Sequence, residues 1–168
     1  AFAQLPIRKI AVGSAREQIA VHVAGRLLIG RTPVICVPGY QRNMSDFAEF
    51  AQHFRRRFGD DWPVVLVDLK GRGRSSDRAD KTLYISTVDA TDVVQIIAAL
   101  ALEGVVLVGQ GYGGQVAMAL AGAPFEIATP KVVRVWLDGE LRPWVQGKDV
   151  ILEMLRRLTR ARPGLTCL

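Results

Sequence analysis

The chain has 168 residues, 49% hydrophobic and 23% charged, with a formal net charge of +6, values that suit one globular domain with a sizeable core. No apolar run approaches the roughly 20 residues that span a bilayer, and the opening Ala1-Phe2-Ala3-Gln4-Leu5-Pro6 lacks the basic start and long apolar stretch of a signal peptide, so no membrane partner is expected. The basic clusters, Arg55-Arg56-Arg57 and Lys70, Arg72 and Arg74, are not interleaved with the aromatic rings of a stacking platform, so no nucleic-acid partner is expected either. Cys36 sits in an apolar run and Cys167 in the terminal tail; unpaired thiols fit a reducing, cytoplasmic setting.

Short β-branched runs alternate with helical periodicity, the pattern of an α/β sheet. Arg8 to Val12 and Gln18 to Ala24 read as strands joined by a turn at Gly13-Ser14. Pro33 to Val37 is a buried strand closed by Pro38-Gly39. Ser45 or Asp46 is placed to cap a helix reaching about Phe58, with Phe47, Phe50, Ala51 and Phe54 on one face. Val64 to Leu69 is the next strand and runs into the basic loop Lys70 to Ser75. A helix starts near Ser86 or Thr87, carries Val88, Val93, Ile96, Ile97 and Leu100 on a stripe, and is read as ending at Gly104. Val105 to Val108 is a strand, Gln115 to Leu120 a helix of small residues, Val132 to Leu137 a sixth strand ending at Asp138-Gly139, and Lys148 to Leu158 a closing amphipathic helix.

Between the fifth strand and its helix lies Gly109-Gln110-Gly111-Tyr112-Gly113. It follows the spacing of a nucleophile elbow, Gly-x-Ser-x-Gly on a sharp strand-to-helix turn, with glycine in the serine slot. Glycine adopts the strained conformation of that slot without steric cost, but it offers no atom that can attack a carbonyl. With two further turns in order, Val37-Pro38-Gly39-Tyr40 after the third strand and Asp68-Leu69-Lys70-Gly71-Arg72-Gly73-Arg74-Ser75 after the fourth, the chain resembles the N-terminal part of an α/β-hydrolase over about residues 7–140.

That resemblance implies a three-layer α/β sandwich with a mostly parallel sheet, truncated after about the sixth strand, in a single domain over residues 1–168. It implies ancestry among ester and lactone hydrolases, with neither metal nor organic cofactor. The backbone N–H groups of Tyr40 and Tyr112 match the family's two oxyanion-hole donors; the phenol rings either line the pocket or pack over the turns. The family's catalytic His comes late in the chain, and neither His22, in an early strand, nor His53, in the first helix, matches it. Asp138 is the one candidate acid, or else a turn former. With Gly111 in the nucleophile slot and no placed His, the chain is expected to be catalytically inactive.

Other readings stay open. A pocket with two N–H donors can hold a small carbonyl or carboxylate ligand without reacting, as in a binding or interaction protein. Gly109-x-Gly111-x-x-Gly114 also satisfies the dinucleotide-binding fingerprint, with Asp138 ending the next strand where a ribose-binding acid would sit. A sixth strand with no seventh beside it would leave an apolar edge, so a homo-oligomer or a partner chain is expected there.

Overall fold

The structure, a computed structural model, describes residues 5–102, 104–122 and 131–138. The closing helix expected over Lys148 to Leu158, Cys167, and the first four residues lie outside them. Six strands, β1 (Arg8–Val12), β2 (Ser14–Ala24), β3 (Val34–Val37), β4 (Val64–Asp68), β5 (Gly104–Gln110) and β6 (Lys131–Asp138), form one sheet in the order β1-β2-β4-β3-β5-β6. The two pairings at the β1 side are antiparallel; the other three are parallel. Parallel strands covered on both faces read as unbroken apolar runs, and β3 and β4 are buried at every position.

Three helices cover the sheet, α1 (Ala48–Phe58), α2 (Ser86–Ala99) and α3 (Tyr112–Gly122). Phe50, Ala51 and Phe54 of α1 pack on Cys36, Leu66, Val106 and Val108 on one face. On the other face Val93, Ile96 and Ile97 of α2 and Val116, Ala117 and Leu120 of α3 pack on Ile35, Val65, Val67 and Leu107. Successive strand residues point to opposite faces, so the alternation of Val64, Val65, Leu66 and Val67 between these clusters follows from the pleat. The expected three-layer architecture is present.

Two local expectations are corrected. The segment before α1 is a 3₁₀ turn, Met44–Phe47, capped by Asn43, whose side chain accepts from the Ser45 N–H; neither Ser45 nor Asp46 caps the helix. Asp46 instead accepts from Arg42, at 2.7 Å from Nε and 2.9 Å from Nη2. Nor does Gly104 end α2: the helix stops at Ala99, Ala101 takes a left-handed φ of 52°, and Gly104 opens β5. A chain reversal normally assigned to glycine falls here on alanine.

Candidate functional site

The three sequence-predicted turns meet at the carboxyl ends of β3, β4 and β5. Gly111 is the single residue between β5 and α3, with φ 53°, and a Cβ there would have, among the described residues and apart from its chain neighbours, no heavy atom within 4 Å. The neighbouring glycine is confined in the opposite way. A Cβ on Gly113 would lie 2.6 Å from Pro38 O and closer still to Val37 O, so only glycine lets the start of α3 rest against the end of β3. A Cβ on Gly39 would lie 3.3 Å from Gln110 O, which shows how near the turn after β3 comes to the turn after β5. Tyr40 and Tyr112 are thereby adjacent, their ring centroids 5.7 Å apart at 67°, an edge-to-face arrangement. The side-chain Oε1 of Gln110 is buried and has no hydrogen-bond partner among the described residues.

The turn after β4 is built from side chains. Asp68, fully buried, accepts from Met44 N at 2.7 Å and from Arg74 N at 2.9 Å, tying the loops after β3 and β4 together. Burial pushes its pKa up, partly offset by those two N–H donors and the Arg74 charge. Beneath the loop is an ionic network unforeseen in the sequence. Arg72 Nη1 donates to Lys70 O and to Asp89 Oδ2, both at 3.1 Å; Arg78 Nη2 bonds Asp89 and, at 2.5 Å, Asp92; Lys70 Nζ donates to Val12 O at 2.9 Å and to Glu17 at 2.5 Å. Asp89 and Asp92 lie on α2, three residues apart and so on neighbouring positions of one helix face. That spacing of two acids on a helix with no other charged residue, together with a loop rich in Lys and Arg, was the available signal.

The network reaches the turn at Gly111 through Tyr112, whose hydroxyl donates to Asp89 Oδ2 at 2.7 Å. Burial first, and then the hydrogen bond to Asp89, raise the Tyr112 pKa to about 12. Asp92 is likewise pushed up by burial, against the pull of Arg78 and Lys70. Glu17 moves the other way, held down by the Ala79 N–H and by Lys70.

The remaining sequence candidates are dispersed. Asp138 ends β6, its backbone opposite Gln110 in the parallel register. His22 pairs in register with Leu66, and its Nδ1 lies 2.7 Å from Pro6 O. His53 belongs to α1, in the layer across the sheet from α3. Among the described residues no group of three or more His, Cys, Asp and Glu side chains is placed to hold a metal, and no helix is long and apolar enough to cross a membrane.

The alpha/beta hydrolase family profile matches residues 34–166, most of the chain. The chain belongs to the alpha/beta hydrolase family. Among solved structures, an alpha/beta hydrolase from Novosphingobium aromaticivorans is 29% identical and superposes with a TM-score of 0.60, over 71% of this chain and 40% of that one. Among curated proteins, the 3-hydroxybutyrate-oligomer hydrolase of Cupriavidus necator is 36% identical over 91 residues, 54% of this chain and 30% of that protein. A stretch of 57 residues is also 42% identical to the mitochondrial aconitate hydratase of Aspergillus fumigatus, covering 33% of this chain but 7% of that protein, too little of it to carry an activity across. This alpha/beta hydrolase chain thus spans less than half the length of these relatives.

Proposed function

We propose that this hydrolase-like chain, of ester- and lactone-hydrolase ancestry, binds a small carbonyl or carboxylate ligand at the turn after β5 and does not form an acyl-enzyme. The observation that carries the reading is Gly111: a residue at φ 53° between strand and helix, with open space where a side chain would project. In this reading the turn is a nucleophile elbow without its nucleophile, and the Tyr40 and Tyr112 N–H groups are the oxyanion-hole donors, which depend on backbone geometry alone. Acyl transfer needs an attacking atom and a base within about 3 Å of it. Gly111 supplies no such atom, and His22 and His53 are committed elsewhere in the fold. Asp138 is kept as the candidate acid on the strength of its register opposite Gln110.

The test is hydrolysis of p-nitrophenyl acetate together with labelling by a serine-directed phosphonate. We expect no burst, no turnover above buffer and no labelled peptide around residue 111, with Gly111→Ser equally silent because neither His22 nor His53 is placed to deprotonate the new hydroxyl. A labelled turn peptide in the unmodified chain overturns the reading. The same reading extends to β6, which among the described residues pairs only with β5: a second copy or a partner chain adds a strand to its outer edge. Sedimentation of a stable monomer at tens of micromolar would refute that extension.

A further inference from the structure

Beside the Tyr40–Tyr112 pair lies a cleft of about 530 Å³ between the loops after β3 and β4, a size that suits a small organic ligand. Its nine lining residues include Arg42, Arg72, Lys81, Tyr40 and Tyr84, and none is acidic. Each cation has an acid partner, but those partners, Asp46, Asp89 and Asp77, lie outside the lining. The charged residues that line the cleft are therefore all cationic.

The three cations differ in burial, and the difference sets their roles. The Arg72 side chain is 8% exposed. Its guanidinium carbon lies 5.1 Å from the Tyr112 ring centroid and 5.8 Å from those of Tyr40 and Tyr84. A guanidinium so desolvated interacts with a carboxylate more strongly than one in water, and its planar fork matches the two carboxylate oxygens. Lys81 stands at the mouth with its side chain 63% exposed, paired at 3.1 Å with an equally exposed Asp77. Exposed pairs are weak, so Lys81 can exchange Asp77 for an incoming anion. Below the cleft, Lys70, Arg72 and Arg78 face Glu17, Asp89 and Asp92, three charges against three. A neutral floor with one loosely held cation at the mouth suits a single negative charge better than a phosphate dianion.

We propose that this cleft is a carboxylate subsite: Arg72 and Lys81 hold the anionic end of a ligand whose carbonyl faces the Tyr40 and Tyr112 backbone. The proposal rests on the carbonyl-binding reading above and narrows its ligand to an ester or acyl compound that also carries a free carboxylate.

The linear dimer of 3-hydroxybutyrate, with one ester and one carboxylate, is a suitable probe. Its methyl ester, acetate and inorganic phosphate are the comparators, all titrated calorimetrically into the full chain at fixed ionic strength. The free acid should bind about tenfold more tightly than the methyl ester, roughly the 1.4 kcal/mol of one charge-assisted contact. Lys81→Gln, at an exposed position that does not endanger folding, should remove most of that difference and leave the methyl ester unaffected. Equal binding of acid and ester overturns the subsite and leaves the carbonyl reading standing. Acid binding that survives Lys81→Gln unchanged, or phosphate binding as tightly as the acid, also overturns the subsite. Binding of the acid and of simple acetate, sensitive to Lys81→Gln but with no affinity for the ester, upholds the subsite and removes the carbonyl reading. Absence of all binding removes both.

Discussion

The turns after β4 and β5 flank the end of β3 at one end of the sheet and are held by different physics. The turn after β5 is a backbone construction: Gly111 takes the left-handed conformation and Gly113 admits the end of β3. The turn after β4 is a side-chain construction, in which Asp68 gathers two backbone N–H groups and Arg72, Arg78, Asp89 and Asp92 interlock beneath it. The first depends on residues being absent in bulk, the second on residues being present in charge. A turn of the first kind needs no side chain of its own to keep its shape, and the proposal that Gly111 fills an empty nucleophile slot rests on that property.

The contrast can be broken hardest at its two anchors. Gly113→Ala drives a Cβ into backbone carbonyls that have nowhere to move, and we expect a loss of more than about 3 kcal/mol, or failure to fold, in urea titration. Asp89→Asn leaves Arg72 and Arg78 short of a fully buried counter-charge, with an expected loss of about 3 kcal/mol. If Asp89→Asn is well tolerated while Gly113→Ala is not, the network is dispensable and glycine packing alone shapes this end of the sheet.

The link between the two turns can be read by pH. Tyr112, with its pKa raised to about 12, keeps its proton in the folded state over a range in which an unfolded tyrosine, near 10, has lost it. The unfolded state then binds fewer protons, so this residue's contribution to stability falls as pH rises from 10 to 12. Ultraviolet titration should show one tyrosine ionising last, and Tyr112→Phe should abolish that step and flatten the decline. A single transition near pH 10 for all tyrosines would mean that Tyr112 is not tied to Asp89.

The smallest expected effects form a matched pair. Gly111→Ala meets no atom within 4 Å and should cost only the backbone penalty of a left-handed alanine, about 1 kcal/mol. Ala101→Gly relieves the same penalty at the end of α2 and should stabilise by about 0.5–1 kcal/mol. Changes in melting temperature of opposite sign would show that the turn at Gly111 is limited by conformation alone; a much larger loss at Gly111 would reveal a contact there.

What the sequence determined by itself was everything carried by local pattern. Apolar runs with β-branched residues placed the strands to within a few residues, the spacing of Phe50, Ala51 and Phe54 identified the buried face of α1, with Phe47 buried in the turn before it, and glycines at 109, 111 and 113 marked a sharp turn in which a Cβ at 109 or 113 would strike backbone. These signals are legible because backbone conformation and side-chain period are properties of neighbouring residues. Even there, the αL position at Ala101 escaped, since alanine is a poor advertisement for a positive φ.

What only the tertiary structure decided was the state of the charges. Lys70 and Arg72 read in the sequence only as part of a basic loop, yet they are 2% and 9% exposed. Asp89 and Asp92 interrupt an apolar helix without showing what they serve. Their partners lie 11 to 53 residues away along the chain, and a charge is buried only when folding brings its counter-charge within bonding distance. The acid-free lining of the cleft is decided the same way, because it depends on which side of each ion pair faces outward.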